Sequence, residues 1–168
     1  QAIYTQSVQQ FSYPKEPGKI LLLTGVLILN IDIIAEIAQG FEGHPEQARL
    51  LMKAAAAAGA AAAKYQLVYA DELATPDYKY YELFRSLEMG DEVWSELAAY
   101  AKELGIQLYL DVFGTLSLQL AERLDVAAVK IHGTDLTNVG LLSDVANGSV
   151  QRVLLGAGGG HANEIRQA

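Results

Sequence analysis

The sequence predicts an α/β protein of the (β/α)8 TIM-barrel type, incomplete in this chain, with about five βα units after an N-terminal hairpin. Short apolar runs alternate with helix-like stretches from residue 31 onward, which is typical of a parallel sheet with right-handed crossovers. Polar side chains also fall inside the apolar runs. An open sheet covered by helices has two apolar strand faces, whereas a barrel directs alternate residues into a lumen. A complete barrel needs about 250 residues, and this chain has 168.

The predicted elements follow one another in that pattern. We expect an N-terminal tail and hairpin over residues 1–31 and a partial barrel domain over residues 32–168, whose first strand contains Glu36. The other predicted segments are a helix over 44–58, a strand after Gly59, a loop or lid over 71–81, a helix over 91–104, a strand over 106–113, a helix over 115–124, a strand over 126–132, a helix over 137–147 and a strand over 150–157.

Capping signals set the ends of the two longest helices. Pro45 suits a first helical turn, Glu46 lies at the positive end of the helix dipole, and Gly59 is placed to terminate that helix. In the helix over 91–104 the apolar side chains form one face, and Gly105 follows as the cap.

Composition excludes several classes of function. A formal net charge of −8 argues against a nucleic-acid partner. The absence of cysteine excludes disulfides and thiolate metal sites and fits a cytoplasmic protein. The apolar run over 20–34 is short for a membrane span and is interrupted by Asn30 and Asp32, so we expect no membrane partner.

Four of the apolar runs carry a charged residue inside them or at their end, namely Glu36, Lys64, Asp111 and Lys130. An ionised group in a low-dielectric core costs on the order of several kcal/mol unless it is paired or binds a ligand, so four together indicate a site. Gln66 shares a strand face with Lys64. Two lysines and two carboxylates at one strand end suit an anionic ligand and leave a carboxylate for acid or base chemistry.

Other interpretations of these residues stay open from their pattern alone. They could be two structural ion pairs, Glu36 with Lys64 and Asp111 with Lys130. A lysine inside a barrel could also form a Schiff base, as in class I aldolases. His132 points inward by alternation, but a lone strand histidine is more often part of a hydrogen-bonded core than a ligand.

Several short motifs recur in a familiar order and spacing. They are Ala35-Glu36-Ile37, the Ala58-Gly59-Ala60 turn before Lys64-Tyr65-Gln66, Lys102-Glu103-Leu104-Gly105-Ile106, and Lys130-Ile131 followed by Leu136-Thr137-Asn138-Val139-Gly140-Leu141-Leu142. Over about residues 32 to 160 this pattern resembles the N-acetylneuraminate (sialic acid) synthase family, of which the chain would be a divergent member. The resemblance implies a barrel that condenses phosphoenolpyruvate with N-acetylmannosamine or a related amino sugar and releases phosphate.

The resemblance also implies roles for individual residues. Glu36 corresponds to the first-strand glutamate near the reacting carbons and is the first candidate for the carboxylate that positions water; Asp135 is the second. The lysines match those that contact phosphoenolpyruvate. The substrate-binding candidates are Lys64, Gln66, Lys130 and Asp111.

The chain differs from the family pattern at three of these strand ends. The third strand usually ends in Ser-Thr-Pro-Phe, and here it reads Leu110-Asp111-Val112-Phe113. Gly133 and Gly156 stand where the family has serines that donate hydroxyl groups to phosphoenolpyruvate. A carboxylate at Asp111 would repel an anionic ligand unless a lysine or a metal intervenes.

The resemblance further implies a divalent metal, Mn or Mg, which would polarise the sugar aldehyde and whose ligands would lie outside this chain. A homo-oligomer is expected. The 168-residue chain by itself is predicted to be inactive as a synthase and to self-associate, because an incomplete barrel leaves sheet edges unpaired. A catalytically inactive homologue that binds a sugar or a partner is the other interpretation.

Overall fold

The chain divides into two units, residues 1–32 and residues 33–168. The computed structural model describes residues 21–23, 26–28 and 31–167. In the first unit, strands β1 (Leu21–Leu23) and β2 (Val26–Ile28) pair as an antiparallel hairpin. The predicted N-terminal tail before this hairpin lies outside the described residues.

A five-stranded parallel sheet organises the second unit. Its strands are β3 (Ile34–Ala38), β4 (Ala62–Gln66), β5 (Gln107–Val112), β6 (Ala128–Ile131) and β7 (Val153–Leu155). Each strand pairs with its neighbours in sequence, so the order across the sheet is β3-β4-β5-β6-β7. This order is that of a (β/α)8 barrel wall, because a doubly wound sheet reverses its strand order at a switch point. The predicted fold class is confirmed, with five barrel strands described in this chain.

Helices connect the strands of this sheet. They are α1 (Pro45–Ala57), α2 (Ala70–Leu73), α3 (Tyr81–Leu87), α4 (Asp91–Leu104), α5 (Thr115–Arg123), a 3₁₀ turn (Gly133–Asp135), α6 (Val139–Asn147) and α7 (Ala162–Gln167). The capping signals are confirmed where they were predicted. Pro45 opens α1, and Gly105 ends α4 in a left-handed conformation with φ of 69°, which a residue without a Cβ adopts at little cost.

The prediction of a loop over 71–81 is wrong at both ends, because α2 covers residues up to Leu73 and α3 begins at Tyr81. The backbone N–H of Ala70 donates to Glu88 Oε1 at 2.7 Å, and the Tyr81 hydroxyl donates to Asp71 Oδ1 at 2.5 Å. These bonds join residues that are 18 and 10 positions apart in the sequence. The local pattern therefore could not show what stabilises the two short helices.

The two faces of the sheet have different partners. One face belongs to the main hydrophobic core with the helices, and it carries Ala63, Tyr65, Leu67, Leu108, Leu110, Val112, Val129 and Ile131. The other face carries a separate small apolar cluster of Ala62, Tyr109 and Ala128. Because side chains alternate along a strand, Lys64, Asp111 and Lys130 lie on this second face. We call it the lumen face, since a barrel wall packs helices on one side and lines a lumen with the other.

Within the residues that the structure describes, no helix is both long enough and apolar enough to cross a membrane.

Candidate active site

The four charged residues singled out in the sequence meet on the lumen face. Lys64 Nζ lies 2.5 Å from Glu36 Oε2 and 2.8 Å from Asp111 Oδ1. Lys130 Nζ lies 3.0 Å from the other carboxylate oxygen, Asp111 Oδ2. Both ion pairs considered from the sequence are present, and the contact between Lys64 and Asp111 joins them. We call the resulting series Glu36–Lys64–Asp111–Lys130 the ion-pair chain.

Strand register places these side chains on neighbouring levels of the sheet. Glu36 on β3 is aligned with Lys64 on β4, and Gln66, one level closer to the carboxyl edge, is aligned with Asp111 on β5. Asp111 is in turn aligned with Lys130 on β6. Lys64 therefore reaches Asp111 diagonally, and the ion-pair chain lies toward the carboxyl ends of the strands, where barrel enzymes hold their active sites.

Exposure differs strongly along the ion-pair chain. Asp111 is fully buried, and the side chain of Lys64 is 6% exposed. The side chain of Lys130 is 23% exposed and that of Glu36 is 52% exposed. A buried carboxylate held by two ammonium groups is compensated, whereas loss of one partner would leave charge uncompensated in a low-dielectric interior. Solvent thus reaches the two ends of the ion-pair chain and not its centre.

The charge state of Lys64 follows from these contacts. Burial disfavours its ammonium form, but hydrogen bonds to Asp111 and Glu36 outweigh that effect and raise the pKa of Lys64 above its ordinary value of 10.5. Lys64 is therefore protonated near neutral pH. A Schiff-base lysine needs a neutral amine, which this environment disfavours.

Packing on the opposite side of β4 holds Lys64 in place. The rings of Phe41, Tyr65 and Trp94 are fully buried and meet edge to face or tilted, with centroids 5.7 to 6.1 Å apart. The Tyr65 hydroxyl donates to the Ala48 carbonyl at 2.8 Å, and burial raises the pKa of Tyr65. Each aromatic pair contributes about 0.5–1.5 kcal/mol beyond area burial, so this aromatic cluster fixes the strand that carries Lys64.

Asp135 is not joined to the ion-pair chain by a hydrogen bond or ion pair among the described residues. It lies in the 3₁₀ turn after β6, where it accepts hydrogen bonds from Thr134 Oγ1 at 3.2 Å and Asn138 Nδ2 at 3.3 Å. Asn138 in turn accepts a bond from the Leu141 N–H at the start of α6. Asp135 thus organises a helix entry, and its catalytic role stays a prediction.

Gly133 and Gly156, which stand where the resemblance implies serines, lie in closely packed turns. A Cβ at Gly156 would lie 2.7 Å from the backbone nitrogen of Gly133, and a Cβ at Gly133 would lie 3.0 Å from the carbonyl oxygen of Gly158. The distance at Gly156 is shorter than real Cβ atoms show, and the one at Gly133 is tight enough that the neighbouring backbone would have to shift. The turns after β6 and β7 therefore lie close together, and a cavity of about 240 Å³ lies beside them, lined in part by Thr134 and Glu164.

The donor set of the described residues does not fit the divalent metal that the resemblance implies. No group of three or more histidine, cysteine, aspartate or glutamate side chains is placed there to hold a metal ion. The carboxylates of Glu36 and Asp111 are bonded to ammonium groups instead.

His132 is half-buried beside the ring of Phe113, with centroids 6.1 Å apart.

Glu72 has a structural role that could not be predicted from the sequence. Its carboxylate accepts bonds from the backbone N–H groups of Leu116 and Ser117, at 2.5 and 3.2 Å, in the first turn of α5. Gly114 leaves room for it, because a Cβ there would lie 2.6 Å from Glu72 Cδ. Glu72 thus caps a helix 44 residues away in sequence, beyond the range of any local capping signal.

Arg152 is a second contact that the sequence did not indicate. Its guanidinium donates to the Tyr109 hydroxyl at 2.5 Å, and that hydroxyl donates to Gln107 Oε1 at 3.0 Å. Tyr109 is nearly fully buried on the lumen face. Arg152 lies inside the strand predicted over 150–157 and directly before the observed β7, and its partner lies 43 residues earlier.

A barrel wall with a buried ion-pair chain on its lumen face defines an α/β-barrel protein with an internal polar site. The NeuB family model matches residues 51–168, and the chain belongs to this family. The resemblance drawn from the sequence motifs is confirmed, with this chain a divergent member.

Relatives and solved structures are similar over most of the chain. An uncharacterized protein of Methanocaldococcus jannaschii is 33% identical over 136 residues, which are 81% of this chain and 40% of that protein. The N,N'-diacetyllegionaminic acid synthase of Legionella pneumophila is 30% identical over 129 residues, 68% of this chain and 36% of the synthase. A crystal structure of N-acetylneuraminic acid (sialic acid) synthetase from Leptospira borgpetersenii superposes with a TM-score of 0.78 at 24% identity, over 89% of this chain and 53% of that one.

The chain therefore spans 36 to 40% of the length of these curated relatives.

Proposed function

We propose that this chain carries the phosphoenolpyruvate-binding part of a synthase that joins phosphoenolpyruvate to an N-acetylmannosamine-like amino sugar. The product is a sialic-acid-type nonulosonate, and phosphate is released. The observation that carries the proposal is the pair of lumen-face lysines, Lys64 and Lys130, bridged by Asp111 in a member of the NeuB family. A relative at 30% identity that is a legionaminic acid synthase supports the same class of reaction.

Phosphoenolpyruvate carries a carboxylate and a phosphate, so it suits a site with two ammonium groups. Lys130 is the lysine that a ligand can contact, because its side chain is partly exposed and its contact in the ion-pair chain is to Asp111 alone. Lys64 is buried between two carboxylates, so it contributes positive charge to the site without direct contact with the ligand. Gln66, on the level of Asp111, is placed to bind the same substrate.

The proposed reaction forms a carbon–carbon bond between C3 of phosphoenolpyruvate and the aldehyde carbon of the sugar, while the aldehyde oxygen takes up a proton. Water then bonds to C2 and loses a proton. The bond from C2 to the phosphate oxygen breaks, the phosphate leaves with the bonding pair and takes up the proton of the new C2 hydroxyl, and that hydroxyl becomes a carbonyl. Glu36 is the first candidate to accept the water proton, because half of its side chain is exposed and it lies beside a lysine that holds it in place. Asp135 is the second candidate.

The divalent metal of the resemblance would need ligands from outside the described residues, and none of these steps is assigned to it. A cytoplasmic, homo-oligomeric enzyme belongs to the same proposal.

A catalytically inactive homologue is the second candidate, and one observation favours it. The formal charges of the ion-pair chain cancel, two positive against two negative, so the site is compensated without any ligand. A Schiff-base aldolase is disfavoured, because the environment of Lys64 raises its pKa.

Calorimetric titration of phosphoenolpyruvate into the 168-residue chain tests the proposal. Lys130→Met should weaken binding by about 2–5 kcal/mol, the range for one partner of a buried charge pair. Equal affinity in the wild type and in this variant would reject the assignment. Borohydride reduction in the presence of pyruvate is the companion experiment, and a covalent adduct on Lys64 would favour the aldolase instead.

A further inference from the structure

Asp111 occupies the position between the two lysines where a ligand anion would be expected. Its two oxygens are each bonded to a different ammonium group, at 2.8 and 3.0 Å, and the residue is fully buried. Leu110 and Val112 on either side of it are also fully buried in the main core. Alternation therefore fixes the Asp111 side chain on the lumen face, and it cannot turn away without breaking β5.

A negative group at this position opposes anion binding. An anionic ligand that approaches Lys130 meets the carboxylate of Asp111 on the same ammonium group, and charges interact strongly at such distances in a low-dielectric interior. Lys64 offers no easier approach, since its side chain is 6% exposed and it already contacts two carboxylates. Any anion must therefore share or replace the contact between Asp111 and Lys130.

We propose that Asp111 is a specificity-determining residue. Its carboxylate is an internal counter-anion of Lys130, and the cost of displacing it from Lys130 sets the affinity of the site for anionic ligands. The inference rests on the proposed function, because it takes phosphoenolpyruvate as the ligand of the two lysines. Asp111 is also a position at which the chain differs from the pattern that the resemblance implies. Affinity for a simple anion such as inorganic phosphate is weak while the carboxylate is present.

Asp111→Asn tests this with little change of shape, because the amide keeps the size of the carboxylate and removes its charge. Calorimetry should show phosphoenolpyruvate and inorganic phosphate binding at least about tenfold more tightly to this variant at fixed ionic strength. Glu103→Gln is the matched control. It removes the same charge from an exposed position of α4, in the helical layer and not on the lumen face, and should change either affinity by no more than about threefold.

A folded Asp111→Asn variant whose affinity for both anions equals or falls below that of the wild type would overturn the inference. So would an equal gain in Glu103→Gln, which would show a general charge effect. Asp111→Ser is the second variant, with space for the ligand anion, and its melting temperature is measured with and without phosphoenolpyruvate. If both Asp111 variants are unfolded even with phosphoenolpyruvate, Asp111 is a structural ion-pair partner and the inference is wrong.

The same measurements separate this inference from the proposed function. Binding by Asp111→Asn but not by the wild type supports the counter-anion and contradicts a phosphoenolpyruvate-binding role of the natural site. Wild-type binding that depends on Lys130 but is unchanged in Asp111→Asn supports the function and rejects the counter-anion. Absence of binding in every folded variant rejects both.

Discussion

Lys64 Nζ lies 2.8 Å from Asp111 Oδ1, and this contact joins two ion pairs that strand alternation alone would leave separate. Both residues are buried, so the centre of the site is the part that solvent does not reach. Its two ends, at Glu36 and Lys130, are the parts that solvent reaches.

Replacing Lys64 should mainly lower the stability of the folded protein. Lys64→Met removes a buried ammonium group that compensates two carboxylates, and the free energy of unfolding should fall by about 3–5 kcal/mol. Urea unfolding followed by circular dichroism measures this. Lys130→Met is the comparison. It should lower the free energy of unfolding by less, because the side chain of Lys130 is more exposed. Equal stability of the wild type and Lys64→Met would contradict a structural role for the buried contact.

The raised pKa of Lys64 predicts a pH dependence of stability. A lysine whose pKa is higher in the folded state stabilises the fold fully below the ordinary value of 10.5, and this contribution is lost as the pH rises through the raised value. The raised pKa of Tyr65 acts in the same direction, because its burial disfavours the ionised form. Subtracting the profile of Lys64→Met, measured from about pH 8 to about pH 11, isolates the lysine. Parallel profiles would exclude the predicted linkage.

Glu36→Gln should keep the fold and lower turnover by about 10²–10⁴-fold, the usual contribution of a general acid or base. The rate of phosphate release from phosphoenolpyruvate is compared between the variant and the wild type, in a form of the protein whose wild type is active in this assay. Asp135→Asn is the matched change at the second candidate, and it should alter turnover far less, since its bonds are to a helix entry. A large loss in Asp135→Asn with normal turnover in Glu36→Gln would reverse the two assignments.

The edge of β7 predicts self-association of the 168-residue chain. Within the described residues β7 pairs only with β6, and Val153 and Leu155 are 44% and 36% exposed. Such an edge can pair with another chain. Light scattering should show particles larger than a monomer, and Val153→Lys should reduce them. Leu50→Lys is the control, since Leu50 is an exposed apolar residue on a helix. A monomer at all concentrations would contradict this prediction.

The sequence predicted the parts of the site that depend on strand alternation. Glu36, Lys64, Asp111 and Lys130 share one face because each is a polar residue in an apolar strand, and the period of two places it there. The position of Asp135 could not be predicted in this way, because it lies in a turn and side chains in a turn do not alternate regularly. The contact of Glu72 with α5 joins α2 to a helix 44 residues later, and only the folded chain brings them together.

The aromatic cluster gives the protein an internal spectroscopic reporter. Trp94 is the only tryptophan of the chain, it is fully buried against Phe41 and Tyr65, and its indole N–H has no hydrogen-bond partner among the described residues. It lies on the helical side of β4, opposite Lys64. Its fluorescence should therefore shift to the red when α4 separates from the sheet and stay constant when a ligand rearranges only the charges of the lumen face. Emission from an unlabelled sample can thus distinguish loss of the helical layer from occupation of the site.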